Sequence, residues 1–177
     1  MPLKGLDVMV CLRVAISDSP SWTYAQLGDA LGLSASETHV SMRRSVAAGL
    51  LVAPVDPGEK PSAHIQALLE FLEHGVRYAF YAVPGKTQRG MPTAHSAPPL
   101  GAEIRDWDAP YVWPDPEGEV RGQEIQPLYK TAPFAARNDP KLYEVLALVD
   151  AIRVGRARER RRGFQLLSTR LLRTGGD

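Results

Sequence analysis

Cysteine is almost absent from this chain of 177 residues: Cys11 stands alone, which excludes an internal disulfide framework and a cysteine-rich zinc site. No uncharged apolar run approaches the roughly 18 residues that a bilayer span needs. The stretch 6–16 is apolar, but Asp7 and Arg13 interrupt it and no small-residue cleavage site follows. A cytoplasmic protein without membrane contact is therefore expected. Internal repeats and low-complexity tracts are missing too. So are the G-x-G-x-x-G, G-x-S-x-G and H-E-x-x-H patterns. Gly85-Lys86-Thr87 resembles the end of a phosphate-binding loop, but Phe80 occupies the place of its first glycine and the loop cannot wrap a triphosphate. His39, His64, His74 and His95 are scattered without metal-ligand spacing. Cys11, on an apolar helix face, reads as a small buried hydrophobe rather than a nucleophile. These absences point away from an enzyme and imply no cofactor and no metal.

Net charge is also nearly absent, with 21 basic against 20 acidic side chains. The balance is a cancellation between segments. Residues 103–124 hold seven acids against Arg105 and Arg121, and residues 153–173 hold eight arginines against Glu159. An acidic middle of −5 thus offsets a basic end of +7, and the total excludes nothing about nucleic acid. With 44% hydrophobic residues the chain can bury one sizeable core or two small ones.

Leu3, Leu6, Val10 and Val14 recur at helical spacing, and Ser17-Asp18-Ser19-Pro20 stops that helix. Thr23 is a suitable N-cap for a second helix over 24–31, which Gly32 ends. Ser34 and Glu37 have the spacing of a capping box at the head of a third helix, running to Ala48. Gly49 stops it, and Leu50-Leu51-Val52 follows as a strand.

The stretch Tyr-Ala-Gln-Leu-Gly-Asp-Ala-Leu-Gly-Leu-Ser over 24–34, then Arg43-Arg44, then Ala48-Gly49-Leu50-Leu51-Val52, resembles the winged helix-turn-helix of MarR-like transcriptional regulators over roughly residues 3–55. The resemblance implies that the helix 35–48 enters the major groove of double-stranded DNA. Ser36, Glu37, His39 and Val40 would face base edges, with Thr23 and Ser34 at the helix starts, while Arg43 and Arg44 would reach phosphates or guanines. Terminal helices in that family form a two-fold homodimer, the arrangement it implies here. Trihelical units of this kind also serve as protein-interaction modules without DNA contact.

Asp56-Pro57-Gly58-Glu59 is a good turn, but no returning strand is read after it. Residues 63–74 read as a helix with Ile65, Leu68, Leu69 and Leu72 on one face, and 76–83 as a strand. The wing is then either the later hairpin tip Lys86–Gly90, with Arg77, Lys86 and Arg89 on DNA, or that tip is an ordinary exposed hairpin. Met91 to Leu100, with three prolines, reads as extended. Residues 111–113 and 119–125 are strand candidates, and Trp107, Tyr111, Trp113 and Tyr129 are expected to pack a small β layer. Asp106, Asp108, Asp115, Glu117 and Glu119 read as a solvated acidic loop that could screen the arginine-rich end.

Asp139-Pro140 is a strong helix start, and Leu142, Val145, Leu146, Val149 and Ile152 form its apolar stripe. Gly155 breaks the helix. Beyond it Phe164, Leu167 and Leu171 share a face, with Arg156, Arg160 and Arg161 on the others, set for phosphate contact or for solvent. The expected class is α+β: a winged-helix-like unit over 1–90, a proline-rich β and loop region over 91–138, and an arginine-rich helical region over 139–177. The expected function is sequence-specific DNA binding by a transcriptional repressor. The alternatives are a protein-interaction module or antitoxin-like protein that neutralises a partner and autoregulates, and an RNA binder.

Overall fold

The computed structural model describes residues 1–18, 21–104 and 109–174. Helix α1 (Gly5–Ala15) is the central element. Val8, Met9, Val10, Cys11 and Leu12 are all fully enclosed, because a helix apolar on every side must be covered on every side. Helices α2 (Tyr24–Leu31) and α3 (Ala35–Ala47) pack on each other, and α3 packs on α1. The trihelical expectation therefore matches at every boundary to within one or two residues.

A two-stranded antiparallel hairpin follows. Strand β1 (Leu51–Val52) pairs with β2 (Ser62–Ala63) in the register Leu51↔Ala63 and Val52↔Ser62. This corrects the sequence reading twice. A return strand does exist, so the wing-like loop is 53–61, and Ala63 belongs to it rather than to the next helix. Helix α4 (Ile65–His74) begins after His64, whose Nδ1 accepts from the Ala67 amide at 3.0 Å.

The strand expected over 76–83 is not formed. Gly75 lets the chain turn directly into a short helix α5 (Val76–Ala79), with Ala79 and Phe80 amides donating to the Gly75 and Val76 carbonyls. Burial of Val76 beside the C-terminal helices outweighs the β preference of the aromatic residues. Nor are Lys86–Gly90 a hairpin tip: residues 87–90 are the first half of β3 (Thr87–Thr93), paired with β5. Through β3 the proline-bearing stretch after Met91 enters a sheet, then a short 3₁₀ turn at Ala94–Ser96 and α6 (Leu100–Glu103). Strand β3 pairs antiparallel with both β4 (Tyr111–Pro114) and β5 (Val120–Glu124), and β4 and β5 pair in parallel, closing three strands on themselves. Gly90 stands where they meet; a Cβ there would strike the Trp113 carbonyl.

Helix α7 (Ala132–Asn138) lies against α2, and α8 (Pro140–Val154) and α9 (Ala157–Thr174) pack as the longest helix pair. Asp139 caps α8, accepting from the Leu142 amide at 3.1 Å. One buried core runs from Leu6 through Leu72, Leu100 and Trp113 to Leu171, so the three stretches of the chain share it. The class is α+β. Among the described residues no helix is long and apolar enough to cross a membrane.

Asp150 on α8 ties the sheet to the helices. Its carboxylate accepts from Thr93 Oγ1 at 2.7 Å, Trp113 Nε1 at 2.6 Å and Arg153 Nη1 at 2.6 Å. Arg153 also donates to the carbonyls of Phe80 and Gln126. Every polar group in this buried cluster has a partner, which is what permits charge inside a core.

Candidate nucleic-acid interface

The turn between α2 and α3 is fixed by local chemistry. Thr23 accepts from the Gln26 amide at 3.1 Å while Gln26 Oε1 accepts from the Thr23 amide at 2.8 Å. Ser34 and Glu37 do the same, at 3.2 Å and 3.0 Å. Two reciprocal capping boxes thus define both helix starts. Between them Gly32 sits at φ 68°, ψ 38°, a left-handed conformation that costs a residue with a side chain. Phe134 and Thr131 close over that glycine from α7. The small residue that lets the two helices approach is Gly28, where a Cβ would come within 2.7 Å of the Leu33 carbonyl and 2.9 Å of Thr38 Oγ1.

Helix α3 is divided by its period. Thr38, Ser41, Met42 and Ser45 are buried, while Ser36, His39, Val40 and Arg43 are exposed together on the outer face. Glu37 is exposed but held back by its cap. The Ser34 amide and hydroxyl both donate to it, and these bonds hold its carboxyl below the ordinary range. His39 packs edge-on to Tyr24, ring centroids 5.1 Å apart, and Lys60 from the wing loop lies 4.8 Å over the same ring.

Arg44 does not belong to this face. Its guanidinium is 7% exposed and forks onto Asp7 of α1, with Nε to Oδ2 at 2.9 Å and Nη2 to Oδ1 at 2.7 Å. Ser41 Oγ donates to the same carboxylate at 2.6 Å, and the Lys4 amide at 2.8 Å. Asp7 raises the arginine's pKa further above its ordinary value. The residue expected at phosphates or guanines instead bolts α3 to α1, because the step of about 100° between neighbouring helical residues turns it away from the face of Arg43.

The wing candidates are dispersed. Arg89 lies on β3 opposite Arg121 of β5, two exposed cations in direct register. Lys86 is exposed just before β3. Arg77 is on α5, its guanidinium 5.3 Å from the Tyr78 ring centre. There it lines one groove with Arg160 and Arg161 of α9, a juxtaposition across more than eighty residues that no local pattern signals. Arg156 is exposed at the start of α9, and its amide donates to Glu159 at 2.8 Å. The residues that the sequence reading left out are Tyr24 and Lys60, which pack with His39 at the edge of the α3 face. The four-residue turn signal at Asp56 was legible, but a two-residue return strand was too short to read.

The acidic segment does not sit on the arginine-rich end as a unit. Asp115 and Glu117 pair with Arg137, while Glu103 pairs with Arg162 at 2.7 Å. Trp113 and Tyr111 pack the small sheet as expected. Trp107, Asp106 and Asp108 lie outside the described residues, as do Ser19 and Pro20. Burial pushes the Cys11 thiol up to about 12, far from a nucleophile's range.

Comparison with protein-family models, with curated proteins and with solved structures finds no match.

Proposed function

We propose that the chain is a cytoplasmic, sequence-specific regulator that binds double-stranded DNA through the outer face of α3 and represses transcription. The observation that carries this reading is the doubly capped α2–Gly32–α3 turn followed at once by a hairpin, with Ser36, His39, Val40 and Arg43 exposed side by side. That is the placement a helix needs to lie in a major groove with its first turns on base edges. A homodimer would set two such helices one DNA turn apart. It needs a surface other than the stripe of α9, since Leu167 and Leu171 are fully covered by the chain's own core.

A second reading, an interaction module that neutralises a protein partner and regulates its own operon, draws on a different observation. Val52 and Val55, 44% and 93% exposed, line one open groove together with Glu59 and Lys60. An apolar patch with a mixed rim is typical of protein docking.

The test is gel-shift and anisotropy binding to the DNA upstream of the chain's own gene, titrated with salt. Arg43→Ala should lower operator affinity about tenfold and relax base preference, whereas a neutral change on β3, Gln88→Ala, should not. Unchanged operator binding in Arg43→Ala would refute the assignment of α3.

A further inference from the structure

A second surface gathers three guanidiniums that make no ion pair among the described residues. Where α4 and α5 meet α9, an open groove of about 540 Å³ is lined by Glu73, Arg77, Tyr78, Arg160, Arg161 and Phe164, among others. Three guanidiniums face one carboxylate there. Several other arginines are tied up, among them Arg44 by Asp7, Arg153 by Asp150, Arg162 by Glu103 and Arg170 by Glu144. Arg161 also lines the neighbouring groove with Arg158 on the far side of α9. A polyanion crossing α9 would meet Arg77, Arg160, Arg161 and Arg158 in turn.

Tyr78 decides which polyanion. Its ring is 72% exposed, with the Arg77 guanidinium beside it. An exposed aromatic ring in a cationic groove is a stacking platform for an unpaired base. A duplex keeps its base faces covered and would leave such a ring unused. An acidic peptide would use the guanidiniums but gain little from the ring.

We infer that the groove between α4–α5 and α9 binds single-stranded nucleic acid, with phosphates on Arg77, Arg160 and Arg161 and a base stacked on Tyr78. The site is separate from the outer face of α3 and does not depend on it.

The test uses the full chain and fluorescence anisotropy with a short labelled oligothymidylate, a short oligouridylate and an oligoglutamate peptide. Both strands should bind, the tighter of the two naming RNA or DNA as the natural source. Tyr78→Ala should weaken strand binding about five- to hundredfold, and Tyr78→Phe should restore it. Arg77→Ala with Arg161→Ala should flatten the log–log salt dependence by about 1.4, two phosphates at roughly 0.7 each. Arg43→Ala should leave strand binding unchanged. The inference is overturned if Tyr78→Ala binds strands like the parent, if oligoglutamate binds as tightly as either strand, or if Arg43→Ala abolishes strand binding. Tyr78 and Arg161 are exposed, so circular dichroism of these variants should match the parent.

Discussion

Removing the carboxylate of Asp7 should be among the most damaging single changes in the protein. Asp7 is fully enclosed and Arg44 is 7% exposed. In Asp7→Ala the guanidinium keeps its burial and loses its counter-charge, together with the Ser41 hydroxyl's acceptor at 2.6 Å. Breaking a buried pair from one side costs about 3–5 kcal/mol, because the orphaned charge stays desolvated. The loss of the Lys4 amide's acceptor adds roughly 0.5–1 kcal/mol at the helix start. Against a typical total stability of about 5–15 kcal/mol, the variant should be near its unfolding limit. Arg44→Met, by contrast, leaves a carboxylate that still accepts from Ser41 and the Lys4 amide. The double variant Asp7→Ala/Arg44→Met removes both buried charges, leaving the Ser41 hydroxyl and the Lys4 amide as the polar groups that lose a partner, and should recover much of the loss. Urea unfolding followed by tryptophan fluorescence gives the four corners of the cycle, and a coupling of about 2 kcal/mol or more is expected between residues in direct contact. A cost under about 1 kcal/mol for Asp7→Ala, or additive single effects, would refute the reasoning.

Gly32→Val should destabilise by about 1–3 kcal/mol in the same unfolding assay, since it forces a β-branched residue into φ 68° and drives a side chain at Phe134. Arg121→Glu should stabilise by about 0.2–1 kcal/mol by turning the like-charge pair with Arg89 into an opposite one across β3 and β5; a loss of stability would show that the two guanidiniums are not neighbours. Burial holds the imidazole of His95 below its ordinary 6.5, outweighing the opposing pull of Glu159. The unfolded chain therefore takes up the proton first, so stability should decline as pH falls through about 6.5 and level off below the folded-state value. His95→Gln should remove that slope while leaving the separate acid-side loss from Glu37, Glu103 and Asp115, whose carboxyls are all held low.

The parts of the fold that were legible in sequence are those fixed by neighbours in the chain. Thr23 with Gln26, Ser34 with Glu37, Gly32, and Asp139-Pro140 each act within four residues, and each helix boundary they define is found where expected. The illegible parts rest on distant partners. Val76-Arg77-Tyr78-Ala79 has the composition of a strand, yet its conformation is set by packing beside α8. Strand β3 reads as a hairpin tip followed by a proline-bearing extended segment, because nothing local reveals that two other strands close on it. Arg44 and Arg43 are adjacent and chemically identical. Only Asp7, thirty-seven residues away, separates a structural arginine from an exposed one.

The same sorting changes what the basic C-terminal end means. As a string, residues 153–173 carry +7 and look like an electrostatic tail that could be removed. In the fold, Arg153 is buried on Asp150, while Arg162 and Arg170 bridge to Glu103 and Glu144. Leu167 and Leu171 are fully enclosed. Burying two leucines contributes about 3–6 kcal/mol, comparable with the stability of a whole domain. Deleting 153–177 would thus remove a wall of the core rather than a mobile cation, and any loss of nucleic-acid binding would report unfolding. The charge available to a ligand gathers at the first turns of α9, where Arg158, Arg160 and Arg161 line open grooves. Long-range attraction from so few free cations should give a shallow salt dependence compared with a tail that neutralised seven phosphates.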